Sequence, residues 1–446
     1  MNTPIADFVR AYAASGCARL HMPGHKGRSF LGCEALDVTE IAGADELYGA
    51  AGIIAESEQN AGALFGSGRT FYAAEGSSQC VRAMLALAVW SAPPGRRPVV
   101  LAARNAHKSL LCAAALLDFD VAWLWPESPG QSLCACPVSP AALERALEET
   151  RPAAVYVTSP DYLGGTCDVA ALAEVSHRRG VPLLVDNAHG AYLRFLSPSR
   201  HPMDLGADLC CDSAHKTLPV LTGGAYLHVG RGAPAFFGEN GRRALALFGS
   251  TSPSYLILQS LDLCNQYLAG DYPRRLAETA GALAALRERL RGRGWAVRDT
   301  EPLKLTLDCA ASGWEGGDLS AHLRSGGVEC EYWDRDDLVC MWTPENPPED
   351  FDRLLDCLGE NGRPPRPRLP LPQARGEAVC SIREAMFRPW ETVPAAQALG
   401  RVCGAPTVAC PPAVPIAVAG ERIGPEAAAL FARYGVDRVE VLAAER

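Results

Sequence analysis

Two consecutive stretches decide the fold class of this chain, VPLLVDNAHG (residues 181–190) and ADLCCDSAHKT (residues 207–217). In each stretch an apolar run is followed directly by polar residues, which is typical of a strand that is buried on both faces and ends at the ligand-binding edge of a sheet. Between about residues 60 and 230, such runs alternate with helical patterns. Strands are predicted at 98–103, 121–125, 153–158, 181–186, 207–211 and 225–229, and helices at 78–90, 107–117, 140–150 and 169–180. This alternation predicts an α/β fold with a large, doubly wound, mostly parallel sheet.

The predicted domain organisation has four parts, since a chain of 446 residues is too long for one core. An N-terminal arm (1–60) precedes the large sheet domain (61–270). A long helix near 272–292 opens a smaller α+β domain (271–362), in which we expect strands near 303–309, 328–333 and 338–342 and a helix over 317–325. A proline-rich run (363–372) then leads to a C-terminal segment (374–446) that completes the small domain.

The composition excludes several classes of protein. Hydrophobic residues make up 48% and charged residues 21% of the chain, which indicates a globular protein rather than a disordered one. The net charge of -9 argues against a nucleic-acid partner. The sequence contains no run of about eighteen apolar residues, so no membrane span is predicted. The first residues do not resemble a secretory signal. We therefore expect a cytoplasmic protein with neither a nucleic-acid nor a membrane partner.

The cysteine content is high, at seventeen residues, but its spacing is not that of a metal site. No C-x-x-C pair occurs, and the closest cysteines are Cys134 with Cys136 and Cys210 with Cys211. Zinc sites usually combine two such pairs or their histidine equivalents. We expect most of these cysteines to be small buried apolar residues in a reducing compartment, and we expect no metal.

Two ionisable residues follow the two deciding runs. Asp186 stands at the predicted end of its strand, where an acid serves equally well as a helix N-cap or as a ligand contact. Lys216 follows the next run, and a lone lysine is usually a surface charge. Its neighbours favour another role, because Ser213, His215, Thr217 and an apolar segment surround it. A lysine held in such surroundings can form an imine.

Two further motifs follow other predicted strands. In the first, Gly76, Ser77 and Ser78 precede a helix, and they suit either an N-cap or a phosphate site with close backbone approach. In the second, His107 could lie flat on an aromatic ligand or cap a helix. Together the four sites supply a phosphate cup, a planar neighbour, a carboxylate and a lysine. Pyridoxal 5'-phosphate (PLP) needs that set, with its aldehyde held as a Schiff base on Lys216.

The chain resembles the short form of the Orn/Lys/Arg decarboxylase family. The members of this family are fold-type-I PLP-dependent enzymes with the architecture of the PLP-dependent transferases. The likeness spans most of the chain and rests on an ordered series of motifs. These are HMPGHKG (21–27), DVTE (37–40), DEL (45–47), EGSS (75–78), RNAHKS (104–109), DNAHGA (186–191), SAHKTLP (213–219) and STSPSY (250–255).

The resemblance implies a role for each matching residue. Lys216 would carry the cofactor, Asp186 would pair with its pyridine nitrogen, His107 would stack on its ring, and His189 would lie near its phenolic oxygen. The remaining cofactor and catalytic contacts are Gly76, Ser77, Ser78, Ser213, His215, Thr251 and Ser252. The hydroxyls of the 250–252 segment lie near a neighbouring subunit's phosphate in the family, which implies a homodimer or a higher homo-oligomer with shared active sites.

The reaction implied by the resemblance is decarboxylation of lysine, arginine or ornithine. It would pass through an external aldimine and a quinonoid to a di- or polyamine and CO2, as a step of polyamine biosynthesis. The cationic side chain of such a substrate needs a carboxylate partner. The candidates are Asp45, Glu331, Glu391 and Glu421, and the sequence does not choose among them.

Several residues depart from the family pattern and keep two other hypotheses open. Glu75 stands where asparagine is usual, Tyr192 replaces a histidine, Gly223 replaces a glutamine, and Cys410–Val414 differs from the family's Tyr-Pro-Pro-Gly-Ile. These departures motivate a PLP enzyme of another reaction type, such as an aminotransferase or a lyase. A non-catalytic homologue on the same scaffold is the third hypothesis.

Overall fold

The computed structural model describes residues 1–127, 132–408 and 413–444. Its large sheet is built from seven short strands: β1 (Arg69–Ala73), β2 (Val99–Ala103), β3 (Asp120–Leu124), β4 (Ala154–Thr158), β5 (Leu183–Asp186), β6 (Leu209–Asp212) and β7 (Ala225–Val229). Their order across the sheet is β1-β7-β6-β5-β4-β2-β3.

Strand β7 is the strand that runs against its neighbours. It pairs antiparallel with both β6 and β1, whereas β5 pairs parallel with β6 and β2 pairs parallel with β3. In the parallel register, Val185 lies opposite Cys210. The sheet is therefore mixed but mostly parallel, and the predicted α/β class is confirmed.

The six helices predicted from the sequence are all present, and the described residues form eight further helices that were not predicted. They are α1 (Pro4–Ala14), α2 (Ile53–Phe65), α3 (Ser77–Ser91), α4 (Lys108–Leu117), α5 (Pro140–Thr150), α6 (Val169–Arg178), α7 (Ala214–Thr217), α8 (Ala235–Ala246), α9 (Tyr255–Leu268), α10 (Tyr272–Gly292), α11 (Gly316–Ser325), α12 (Pro348–Leu358), α13 (Ile382–Phe387) and α14 (Pro425–Arg433). Short 3-10 turns lie at Glu34–Leu36, Ala191–Phe195 and Ala395–Gln397.

Helix α5 shows how local sequence sets these bounds. Ser139 is its N-cap and accepts a hydrogen bond from the Ala142 amide, and Pro140 occupies the first turn, where no amide is needed. Leu143 and Leu147, four residues apart, are its buried positions. The helix therefore begins at its capping signal and faces the core with one stripe.

The chain divides into two compact units. The first comprises residues 1–93, 153–155 and 169–275, and the second comprises residues 94–152, 156–168 and everything from Leu276 onward. The predicted four-part domain boundaries stay a prediction.

The second unit carries the smaller strands: β8 (Lys304–Asp308), β9 (Tyr332–Trp333), β10 (Asp337–Met341), β11 (Trp390–Pro394), β12 (Thr407–Val408), β13 (Pro415–Ala417) and β14 (Arg438–Leu442). Strands β8, β10 and β9 form an antiparallel sheet, and Leu283, Leu286 and Leu290 of α10 join its core.

The strand predicted near 328–333 is wrong over most of its length, because β9 covers Tyr332–Trp333 only. The Val328 amide is used elsewhere, since it donates to the Leu323 carbonyl at the end of α11. Gly327, with φ of +78°, turns the chain there. The first residues of the predicted strand therefore belong to the turn that ends helix α11.

Cys134, Cys136, Cys210 and Cys211 are buried free thiols, as predicted. Within the three described ranges, no helix combines the length and the apolar character needed to cross a membrane.

Candidate active site

The predicted phosphate cup lies in the first unit, where β1 gives way to α3. Gly76 is the N-cap residue of α3 with φ of +73°, and its amide donates to the Gly223 carbonyl over 2.7 Å. The Ser213 hydroxyl donates to the Ser77 hydroxyl, also over 2.7 Å. Two hydroxyls thus meet at a helix N-terminus whose first turn carries no acidic residue. Such an N-terminus favours a phosphate group.

Gly223, one of the departures from the family pattern, has a structural reason. Its φ is +103°, and a Cβ atom there would lie 2.8 Å from the Ala74 carbonyl oxygen. The glutamine that is usual in the family would collide with this loop, so glycine allows the close approach that joins residue 223 to Gly76.

Lys216 lies in α7, which begins directly after β6 with Ser213 as its N-cap residue. Its Nζ atom lies 3.0 Å from Nε2 of His189, so the predicted lysine and the predicted histidine are brought together. The neighbouring His215 donates from Nδ1 to the Gly224 carbonyl over 3.0 Å. Burial, and then the charge of Lys216, lower the pKa of His215.

Asp186 ends β5 and is buried, with 4% of its surface exposed. Its Oδ1 atom accepts from the Ala188 amide over 3.2 Å and from the Cys211 thiol over 3.5 Å. The contact with Ala188 belongs to a turn and is not a helix cap, because the next helical turn, Ala191–Phe195, has Gly190 as its N-cap residue. The ligand contact expected of Asp186 stays a prediction.

No prediction from the sequence covers a further group of polar residues, which surrounds Asp212 next to Ser213. Asp212, the last residue of β6, accepts hydrogen bonds from the side chains of Asn187, His201 and His228. The signal in the sequence was His228, a polar residue inside the otherwise apolar strand AYLHV. His201 lies in no strand, and nothing in the local pattern joins it to Asp212.

The predicted ring-stacking residue, His107, lies in the second unit. It is the N-cap residue of α4, and its Nδ1 atom accepts from the Ser109 amide over 3.2 Å. The capping function is therefore present.

Thr251 and Ser252 lie in an exposed loop of the first unit. The Ser250 amide in the same loop donates to the Glu75 carboxylate. Glu75, another departure from the family pattern, therefore ties this loop to the residue before the cup.

The four acids proposed to bind a cationic side chain are not equivalent. Asp45 accepts from the backbone amides of Ala51, Gly52 and Ile54, so it caps the start of α2. Glu391 forms an exposed ion pair with Arg401. Two acids of the second unit remain: Glu331 accepts from the Tyr162 hydroxyl, and Glu421 is buried enough that its pKa is raised despite the nearby charge of Arg104. Of the departing segment at Cys410–Val414, residues 410–412 lie outside the described residues.

The described groups of the first unit fit PLP. An amine, a buried carboxylate and paired hydroxyls at a helix N-terminus are the groups that its aldehyde, ring nitrogen and phosphate require. The Thr217 hydroxyl next to Lys216 is buried and has no hydrogen-bond partner among the described residues. A Cβ atom at Gly76 would meet open space, so the cup is not filled by protein.

The fold and the site define a class, the fold-type-I α/β enzymes that place a lysine at the edge of a mostly parallel sheet. Comparison with known families makes the assignment specific. The family model described as "Orn/Lys/Arg decarboxylase, major domain" matches residues 3–314. The chain belongs to this family of amino-acid decarboxylases, the resemblance seen in the motifs is confirmed, and membership implies PLP as the cofactor.

Individual relatives agree with this assignment. An arginine decarboxylase of Bacillus subtilis (strain 168) is 29% identical over 95% of this chain and 92% of its own length. The lysine decarboxylase LdcA of Pseudomonas aeruginosa is 28% identical, but over 55% of this chain and 36% of its own length. The solved structure of the constitutive lysine decarboxylase of E. coli shares the fold, with a TM-score of 0.78 and 18% identity over 99% of this chain and 82% of that chain.

Proposed function

We propose that this chain decarboxylates L-arginine to agmatine and CO2 with PLP held on Lys216. The observation that carries the proposal is the Lys216 amine, 3.0 Å from the His189 imidazole at the edge of the sheet in a member of a decarboxylase family. Arginine is favoured over lysine because the relative named an arginine decarboxylase aligns over almost its whole length, whereas the relative named a lysine decarboxylase aligns over about a third.

Each residue of the site has a defined task in this proposal. Asp186 holds a proton on the pyridine nitrogen, and its burial keeps water from competing for that proton. Ser77, Ser213 and the backbone amides at the start of α3 bind the phosphate, with Gly76 and Ser78 completing the cup. His189 orients Lys216 and would lie near the phenolic oxygen, and the ring contact of His107 stays an expectation from the family resemblance.

When bound, PLP supplies the electron sink that makes loss of the substrate carboxylate feasible. The protein then returns one proton to Cα, so one proton is consumed for each CO2 released. Lys216 Nζ is the group we assign to this transfer, and His215 beside it, with its lowered pKa, is held as a neutral base. Glu331 or Glu421 would pair with the guanidinium of the substrate.

The proposal extends to assembly and location. Thr251 and Ser252 are exposed in the described chain, which suits a loop that completes the phosphate site of a second subunit, so we propose a homodimer. A cytoplasmic enzyme that makes agmatine belongs to polyamine biosynthesis.

The test is release of CO2 from carboxyl-labelled arginine, lysine and ornithine, with the amine product identified by mass spectrometry. We expect CO2 and agmatine in equal amounts, and no CO2 from the Lys216→Ala variant. Lys108→Ala is the matched control, because Lys108 is an exposed lysine that begins α4. Keto-acid formation without CO2 would replace the proposal with an aminotransferase. Failure of the wild-type chain to bind PLP would favour the non-catalytic homologue.

A further inference from the structure

The core of the first unit contains a carboxylate with an unusual number of hydrogen-bond donors around it. Asp212 is fully buried and ends β6. Its Oδ2 atom accepts from Nε2 of His201 over 2.9 Å and from Nε2 of His228 over 3.2 Å. Its Oδ1 atom accepts from Nδ2 of Asn187 over 2.7 Å and from the Cys210 thiol over 3.6 Å. Each oxygen of the carboxylate therefore accepts from two protein donors.

These contacts keep Asp212 charged. Burial by itself raises the pKa of a carboxyl group, but the contacts with His201 and then His228 hold the pKa of Asp212 well below its usual range. The Met203 amide donates to Nδ1 of His201, so the proton of a neutral His201 lies on Nε2 and points at the carboxylate. A buried charge without such partners would be strongly destabilising.

The partners of Asp212 are connected to the candidate active site. Asn187 directly follows Asp186, and the backbone amide of Asn187 donates to the Cys211 carbonyl over 3.0 Å. On the other side, Asp212 directly precedes Ser213, whose carbonyl accepts from the Lys216 amide over 3.1 Å. One carboxylate thus ties together the strand ends that carry the acid and the lysine.

A metal ion is the competing explanation, since one donor atom each of His201, Cys210 and Asp212 lie within 4.8 Å of one another. The distances from His201 and Cys210 to Asp212, however, are those of hydrogen bonds between these side chains. A metal would need the Nε2 proton of His201 removed and the carboxylate withdrawn from its present contacts. The geometry favours the hydrogen-bonded network.

We propose that Asp212 is a positioning residue, which acts through Asn187 on Asp186 and through Ser213 on Lys216 to set the spacing that the cofactor needs. This inference rests on the proposed function, because it takes Asp186 and Lys216 as the cofactor-binding pair. A loss of the network would misplace two groups that must bind one rigid ring at the same time.

The same strand offers a matched control at its opposite end. Asp208, directly before β6, is also buried, and its Oδ2 atom accepts from His177 Nε2 over 2.7 Å and from the Leu183 amide over 2.8 Å. This Asp–His contact has the same chemistry as that of Asp212, but it lies at the amino end of the strand. A purely structural role would make the two aspartates equivalent.

The experiment compares Asp212→Asn with Asp208→Asn in the full chain, stripped of cofactor and titrated with PLP. Binding is followed by the visible absorbance of the bound cofactor and its pH dependence, and borohydride trapping on Lys216 is checked by peptide mass spectrometry. We expect Asp212→Asn to weaken PLP binding by about tenfold or more and to shift the pH of the spectral transition. Asp208→Asn should change thermal stability while both cofactor readouts stay at their wild-type values.

Two results would overturn the inference: equal cofactor affinity and spectra in the two variants, or a tightly bound metal in the purified wild-type chain that is lost from Asp212→Asn. If Asp212→Asn does not fold, Asn187→Ala removes one donor only and should weaken cofactor binding in the same direction. Its wild-type affinity would then count against the inference. Absence of trapped cofactor in the wild-type chain would instead refute the proposed function, so the two failures are distinguishable.

Discussion

The two units bury charge in different ways. In the first unit, both carboxylate oxygens of Asp212 accept from protein donors. In the second unit, the buried Arg104 donates to the carbonyls of Pro415 and Ile416 over 2.7 and 3.0 Å. The rest of its guanidinium lies over the rings of Trp123 and Trp125, and its Nε atom has no hydrogen-bond partner among the described residues.

The backbone shows the same contrast. At the phosphate cup of the first unit, both residues with positive φ, Gly76 and Gly223, are glycines. In the second unit, a positive φ of +58° falls on Ala413, which stands where the family has glycine, and its carbonyl accepts from the Lys108 amide. The region around Asp212 is locally consistent, whereas the region around Arg104 is held by its neighbours against local preference. Substitutions in the two regions should therefore differ in size and in sign.

The largest effect is expected for Arg104→Met. It removes one partner from a buried set of contacts, leaves two carbonyls and the Glu421 carboxylate without their cation, and should cost about 3 to 5 kcal/mol of unfolding free energy. Urea unfolding followed by circular dichroism measures the loss. Arg97→Met is the matched control, because Arg97 forms exposed ion pairs with Asp118 and Asp120 and should cost less than about 1 kcal/mol. Equal losses in the two variants would remove the contrast between the units.

A smaller loss is expected for Gly223→Ala. The added Cβ would meet the Ala74 carbonyl at 2.8 Å, in addition to a backbone strain of about 1 to 3 kcal/mol. Because the Gly223 carbonyl accepts from Gly76, PLP affinity should fall together with stability. Gly95→Ala provides the comparison, since Gly95 has a similar φ of +95° and open space around it. If PLP affinity is unchanged in Gly223→Ala, residue 223 does not shape the cup.

The contrast between the units also explains what the sequence could predict. Strand β7 and helix α5 have the predicted bounds, because alternation, capping and apolar spacing are local signals. Lys216 and Asp186 could be chosen as candidates because each lies at or shortly after the end of an apolar run. Strand β1 was not predicted, since RTFYA is short and depends on antiparallel pairing with a strand more than 150 residues later. The contact of Asp212 with His201 likewise exists only after β6 and the loop before it have folded together.

The contributions of Asp212 and Glu421 to the free energy of unfolding should change with pH in opposite directions. The pKa of Asp212 is lowered in the folded chain, so its stabilisation is present above the unfolded value near 3.9 and is lost as pH falls. The pKa of Glu421 is raised, mainly by burial. Between the unfolded and the folded pKa of this residue, the folded chain therefore binds more protons than the unfolded chain, and stability falls as pH rises. The cost of Asp212→Asn should therefore grow as pH rises to about pH 5 and stay constant above it, whereas the cost of Glu421→Gln should shrink as pH rises above the unfolded value of that residue, near 4.3.

Urea midpoints of both variants and the wild type, from about pH 2 to about pH 7, measure the two pH dependences. Parallel curves for Asp212→Asn and Glu421→Gln would show that the two units treat their buried carboxylates alike.

The smallest effect, and the one opposite in sign, is expected for Ala413→Gly. The left-handed backbone at Ala413 costs about 1 to 2 kcal/mol for a residue with a Cβ, while glycine adds about 0.4 to 1 kcal/mol of unfolded-chain entropy. The variant should therefore be more stable than the wild type by about 0.5 kcal/mol, measured as an increase in the urea midpoint. Ala417→Gly, at a buried position of β13 without positive φ, should be destabilising by a similar amount. A loss of stability in both variants would show that Ala413 gains more from packing against the second unit's core than its backbone costs, and the strain assigned to this region would then have to lie at Arg104 alone.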